Sequence, residues 1–165
     1  MIIGLLIVNF VVQRTIVDGQ SMEPTLQNAD NLWVEKISPK LGSFKVGSIV
    51  TVNVPEEIRS QYNLEKNPII KRVIALSGDS VEVKDGKVFV NGKAKDEPYL
   101  KGAVTEPVGK PEFSKLTVPK GYIYVLGDNR GNSADSRIIG PVKKSWVVGK
   151  VLVRLFPFNK IGFVK

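Results

Sequence analysis

The sequence predicts a mainly β protein, an antiparallel β-sheet core with a small β lobe inserted. Three observations carry this. Helical periodicity is absent over any long stretch of the 165 residues. Short runs of β-branched and aromatic residues recur between turn-forming clusters. Two of the turns are Asp85-Gly86 and Asn91-Gly92. Such pairs are the strongest short hairpin signals, because a type I′ turn needs positive φ at both central positions.

The elements follow in order. Residues 1–12 are almost wholly apolar. A full membrane span needs about 20 residues. The run has no basic stretch before it and no small-residue cleavage site after it, so it does not read as a removable leader. Three readings remain for segment 1–13, the end of a membrane anchor, a shallow anchor or a buried strand, and the first is the one expected. Strands are expected at residues 32–34 and 48–54. Asn67-Pro68 opens another over residues 69–76, made mostly buried by Ile69, Ile70, Val73, Ile74 and Leu76, and Ser77-Gly78-Asp79-Ser80 closes it. Residues 81–84 and 87–90 flank the Asp85-Gly86 turn. Residues 93–115 are polar and carry Pro98, Pro107 and Pro111, which reads as a looped excursion. Its Tyr99-Leu100 pair is suited to fold back on the core. Strands resume at 116–119 and 122–126, and the last runs over 146–153 towards Phe156-Pro157-Phe158. The expected division is a β core of residues 14–80 and 116–165, with an inserted hairpin lobe at 81–115.

A hydrophobic content of 42% suits a single core domain with a small lobe. Without cysteine the chain forms no disulfide and does no thiolate chemistry. Without histidine as well, no metal site is expected. The net charge of +8 is uneven: residues 141–165 hold six basic side chains and no acidic one. That tail suits an anionic partner, a membrane surface or nucleic acid, or is simply a solvated basic face.

The lack of histidine also rules out a Ser-His-Asp triad, so an activated serine would need another base. Ser21 is the candidate, set in a tight turn by Gly19 before it and Pro24 after it. Lys71 is the candidate base, at the start of Lys71-Arg72-Val73-Ile74-Ala75-Leu76-Ser77-Gly78-Asp79. Lysine takes a proton only when neutral, and its ordinary pKa is about 10.4. A strand of Ile and Val would desolvate it and favour the neutral amine. Taken singly, each residue reads more simply as a turn serine and a solvated strand lysine. A third segment, Gly127-Asp128-Asn129-Arg130-Gly131-Asn132-Ser133-Ala134-Asp135-Ser136-Arg137, changes the balance. Turn chemistry explains its Gly, Asn and Asp. It does not explain acids alternating with arginines. Asp128, Arg130, Asp135 and Arg137 are expected to form an internal charge network that keeps a site-bearing loop rigid.

SMEPTL, KRVIALSGD and GDNRGNSADSR, in this order, resemble the signature boxes of type I signal peptidases. These are membrane-bound Ser-Lys proteases that remove signal peptides from exported proteins. The end of the chain, from Val148-Gly149-Lys150 through Arg154 to Ile161-Gly162, also resembles the family. The resemblance implies a signal-peptidase-like antiparallel β core. It implies Ser21 as nucleophile, Lys71 as general base and Ser133 as the serine that hydrogen-bonds and orients the lysine. Asp135 and Arg137 would brace the site, Met22 would pack beside the nucleophile, and Met22 and Ile70 are expected at the substrate pocket. Some relatives carry a hydroxyl two positions before the nucleophile that completes the oxyanion hole. Here Gly19 stands there, as in the Gram-positive branch, leaving the Ser21 backbone amide as the expected donor. Ala75 and Ser77 depart from the Gly and Pro common in relatives. The implied reaction is cleavage of secretory preproteins after small residues of A-x-A type. The implied place is the cell membrane, with a single-pass anchor and the catalytic domain outside the cytoplasm. No cofactor or metal is implied, nucleic acid is not an expected partner, and the membrane lipid surface is.

Three other readings stand beside this one. A self-cleaving Ser-Lys protease of the SOS-repressor type would carry a scissile Ala-Gly before its nucleophile, and none is present. A non-proteolytic, signal-peptidase-like assembly factor for surface fibres would be expected to lose Ser21 or Lys71. A nucleic-acid module would use the basic tail with Trp146, Phe156 and Phe158 as stacking platforms, and no motif supports it.

Overall fold

The computed structural model describes residues 11–64 and 68–164. The larger of its two sheets is formed by β1 (Val12–Ile16), β2 (Asn31–Glu35), β3 (Ile49–Val52), β4 (Ile69–Leu76), β9 (Tyr122–Leu126), β10 (Val142–Lys143), β11 (Val147–Phe156) and β12 (Gly162–Phe163). The strand order is β1-β2-β11-β3-β4-β9-β10, with β12 on β11, and every pairing is antiparallel. The smaller sheet has the order β7-β6-β5-β8, from β5 (Ser80–Lys84), β6 (Lys87–Val90), β7 (Lys93–Ala94) and β8 (Lys115–Thr117). The mainly β expectation holds.

The local signals explain much of this. Asp85 and Gly86 both have positive φ, 50° and 72°, as a type I′ hairpin turn between β5 and β6 requires. β4 lies between β3 and β9 and is buried from Ile69 to Ala75, which is why it reads as a nearly unbroken apolar run. Its pleat sorts the side chains. Ile69 and Val73 join a cluster with Val50, Val52, Val125 and Val147. Ile70 joins another with Met22, Leu26, Leu32 and Ile49. A bulge between Val73 and Ala75 turns Ile74 and Ala75 together into a third cluster, beneath the smaller sheet.

Several boundaries differ from expectation. β1 begins at Val12, inside segment 1–13, whose residues 1–10 lie outside the described ones. β8 pairs with β5, so Leu116 belongs to the smaller sheet rather than to the core. Trp146 closes a 3₁₀ turn, Lys144–Trp146, and the last long strand starts after it and runs to Phe156. That strand exceeds its expected length because it serves three partners, β2, β3 and β12, and shifts register along the first two. Four helices within the described residues went unread: α1 (Ile37–Lys40), α2 (Glu56–Gln61), α3 (Pro111–Ser114) and α4 (Ser136–Ile139). At four to six residues they are too short to show a period. Among the described residues no helix is long and apolar enough to cross a membrane.

Candidate active site

The turn after β1 carries Ser21. Leu26 N donates to Met22 O at 2.9 Å and Glu23 N to Gln20 O at 3.1 Å, which coils the segment into one helical turn. Leu26 and Met22 anchor that turn from below, at 0% and 1% exposure. Gly19 has φ of 93°, in the left-handed region open to glycine, and its amide donates to Asn28 Oδ1. β4 carries Lys71, 3% exposed and in register with Val50 of β3. Its Nζ donates to Ser21 Oγ at 2.7 Å and to Ile70 O at 3.0 Å. The two groups thus meet across 50 residues of sequence.

They meet in a cleft of about 210 Å³ lined by Gly19, Gln20, Ser21, Leu64, Ile69 and Lys71, with Asn63, Asn132 and Ala134 also on its wall. Met22 and Ile70, expected at the pocket, do not line it. Both lie in the core beneath the turn, 1% and 7% exposed. The reason is the two-residue period of a strand: Ile69, not Ile70, shares a face with Lys71. Asn63 and Leu64 were missed altogether. They follow α2, which the buried Arg59 pins by donating to Val54 O at 2.7 Å.

The third segment closes the cleft from the end of β9. Asn129 N donates to Ser21 O at 3.0 Å, and Asn129 Nδ2 to Gln20 O. A Cβ on Gly127 would stand 2.5 Å from Ser21 O and 2.2 Å from Ser133 Oγ, so only glycine lets the loop approach this closely. Ser133 Oγ is buried here and makes no hydrogen bond; it lies against Gly127 instead of reaching Lys71.

The four loop charges are all buried, but they do not pair only with one another. Asp135 and Arg137 form a two-pronged pair at 2.9 Å, and Asp135 Oδ2 also accepts from Gly127 N. Arg137 then donates to Arg130 O. Asp128 takes a different partner, Arg72, whose Nε and Nη2 reach it at 2.8 and 2.6 Å. Thr25 Oγ1 donates to the same carboxylate. Arg130 reaches Glu97 with both terminal nitrogens, at 3.0 and 2.8 Å, and Thr105 Oγ1 as well. Burial disfavours the Arg130 charge, but Glu97 more than offsets it and holds the guanidinium pKa above its ordinary value. The basic tail contributes too: Arg154 reaches Thr25 O and lies 3.2 Å from Asp30, clamping the Ser21 turn from β11. Arg72, Glu97, Thr105 and Arg154 could not be assigned from spacing, since each acts over 25 residues or more.

A serine hydroxyl hydrogen-bonded to a buried lysine amine, in a cleft, in a chain without histidine, has the arrangement that a nucleophile–base pair requires. The sequence profile of the family "Signal peptidase, peptidase S26" matches residues 1–156. The chain belongs to this signal peptidase family. Signal peptidase I P of Bacillus subtilis subsp. natto is 37% identical over 171 residues, spanning 100% of this chain and 88% of the relative. Signal peptidase I of Bacillus licheniformis is 38% identical over 166 residues, spanning 97% of this chain and 85% of the relative. The crystal structure of a signal peptidase I from Enterococcus faecalis shares 32% sequence identity at a TM-score of 0.50, over 65% of this chain and 95% of that one. The signal peptidase boxes thus fall on the Ser21 turn, on β4 and on the loop after β9, three of the four segments that wall the cleft.

Proposed function

We propose that this chain is a serine endopeptidase that cleaves signal peptides from secretory preproteins after small residues, with Ser21 as nucleophile and Lys71 as general base. The observation that carries the reading is the 2.7 Å contact between Lys71 Nζ and Ser21 Oγ. Family membership and the relatives named signal peptidase I support the reaction class.

The steps draw on these side chains and on the Ser21 backbone amide. The preprotein docks as an extended strand in the cleft beside Ser21 and β4. Ile69, Leu64 and Ala134 narrow the cleft, which favours small side chains of A-x-A type near the scissile bond. Neutral Lys71 takes the Ser21 proton as Oγ attacks the carbonyl carbon. The tetrahedral oxyanion is held by the Ser21 amide, a donor type worth about 3–4 kcal/mol. With Gly19 in place of a hydroxyl, backbone supplies this stabilisation. Lys71 ammonium then gives its proton to the leaving amine, and the acyl-enzyme forms. A water, deprotonated by the same amine, attacks the ester and frees Ser21. Asp128, Arg130, Asp135 and Arg137 keep the loop rigid.

The membrane completes the proposal. Residues 1–12 suit an anchor, which would place the catalytic domain at the outer face of the cell membrane. Trp33, Phe156 and Phe158 stand exposed around a shallow groove with Arg14, and Ile161 and Phe163 are exposed as well. Such aromatic and basic groups suit a lipid interface. The test is cleavage of a signal-peptide substrate by the purified chain and by Ser21→Ala. Cleavage by the first and none by the second supports the reading; equal cleavage by both ends it.

A further inference from the structure

The excursion at residues 97–109 leaves the smaller sheet and lies against the loop after β9. Glu97 is the contact point. Its side chain is 6% exposed and holds both terminal nitrogens of Arg130, whose Nε in turn donates to Gly127 O. Tyr99 donates its hydroxyl to Glu97 Oε1 at 2.5 Å. The Tyr99 ring covers Arg72, with the guanidinium carbon 4.0 Å from the ring centroid. Glu106 O accepts from Arg137, and a Cβ on Gly109 would stand 2.7 Å from Arg137 O, so the returning segment is also fitted tightly to the loop.

These contacts form one connected path to the reacting groups. Asp128 is its hub. The carboxylate accepts from Arg72, the neighbour of Lys71 on β4, and from Thr25, four residues after Ser21. The next residue, Asn129, holds Ser21 O through its amide. The relative placement of the Ser21 turn and β4 therefore depends on the Arg72–Asp128 pair. A guanidinium is planar, with two faces to cover and a fixed fork to aim. Tyr99 covers one face, and Glu97 holds Tyr99 through its hydroxyl.

We propose that Glu97 and Tyr99 are positioning residues for the Ser21–Lys71 pair, acting through the Arg72–Asp128 ion pair. This rests on the dyad reading above. Neither residue lines the cleft. Burial first, and then the Glu97 carboxylate, hold the Tyr99 phenol pKa well above its ordinary value. Tyr99 thus stays a hydrogen-bond donor across the working pH range.

The experiment compares Tyr99→Phe, Tyr99→Leu, Glu97→Gln and Ser21→Ala in the full chain. The readouts are kcat and KM on a signal-peptide substrate and hydrogen exchange at the Asn129 amide. Tyr99→Leu is expected to lower kcat about tenfold or more at unchanged KM, since misplacement by an ångström costs about a hundredfold. It should also speed exchange at Asn129. Tyr99→Phe keeps the stacked ring but loses its bond to Glu97, so it is expected to lose part of the rate, less than Tyr99→Leu, and Glu97→Gln is expected to match it. Unchanged kcat in Tyr99→Leu overturns the proposal, as does an equal loss in the Phe and Leu variants, which marks general destabilisation. A rise in KM alone overturns it too, because the excursion would then be binding substrate. Persistent activity in Ser21→Ala overturns the dyad reading instead. The Asn129 exchange result stands apart from that outcome.

Discussion

Lysine replaces imidazole as the candidate base here, and its proton is the first thing to test. Ser21→Ala and Lys71→Ala are each expected to lower cleavage at least a hundredfold with the fold intact, since general-base assistance contributes about 10²–10⁴-fold. Far-UV circular dichroism alongside the assay separates loss of chemistry from loss of structure. The rate of the unaltered chain should climb from neutral to mildly alkaline pH, because only the neutral amine accepts a proton. Two tyrosines set a different, opposing limit. Burial chiefly holds the phenols of Tyr99 and Tyr124 well above their ordinary pKa, with Glu97 and Asp135 adding to it. A pKa raised on folding means the folded chain keeps protons that the unfolded chain has lost. Their contribution to stability is therefore complete below about pH 10, the ordinary phenol value. It declines as pH rises through the folded values. Urea midpoints are expected to fall above pH 10, and to fall less in the Tyr99→Phe, Tyr124→Phe double variant.

At the scale of the element, the loop between β9 and α4 is held by buried ion pairs reaching three other parts of the chain. Asp135 is 0% exposed and Arg137 1%. Removing the carboxylate strands the guanidinium and frees the Gly127 amide. Asp135→Ala is expected to cost about 3–5 kcal/mol, the usual result of breaking a buried pair from one side, together with most of the activity. Thermal unfolding against the unaltered chain checks it. A small loss would mean that Arg130 O and Glu106 O hold Arg137 well enough alone. This loop also shows where reading a sequence stops. Asp85-Gly86 and the strand at 69–76 were legible because their cause is local: positive φ in two residues, and an apolar run between turns. The charge-rich composition of 127–137 announced a network for the same reason. Its partners were not legible. Asp128 selects Arg72 across 56 residues and Arg130 selects Glu97 across 33, and such choices are made by the packed fold. Ile70 was placed at the pocket where counting alternate residues from Lys71 would have indicated Ile69. Ser133, expected at the lysine, instead lies against Gly127.

At the scale of the whole molecule, the apolar surface is uneven. Phe158 and Phe163 are 77% and 81% exposed, and Trp33 and Phe156 about half exposed. Phe156 and Phe158 meet edge to face at 5.4 Å. Trp146 does not join them; it packs against the core beside Val147. Residues 14–165 are expected to sediment with anionic vesicles. Serine at Trp33 and Phe158 together should weaken that binding about tenfold or more, given about 1.5–3 kcal/mol for burying one large apolar side chain. Binding that is insensitive to this change but abolished by salt would assign the affinity to the basic side chains instead.

The position of β11 has a consequence for how the molecule comes into being. The strand fits between β2 and β3, yet it is the last long one to be synthesised. Until residues 147–156 exist, the half that bears Ser21 has no sheet connection to the half that bears Lys71, and Arg154 is not there to clamp the turn. Contacts this distant in sequence form late and slowly. The growing chain is therefore expected to be inactive until β11 is added, because that strand is what joins β2 to β3 in the sheet. A chain ending at Lys144 should carry both Ser21 and Lys71, yet show neither cleavage nor a cooperative urea transition.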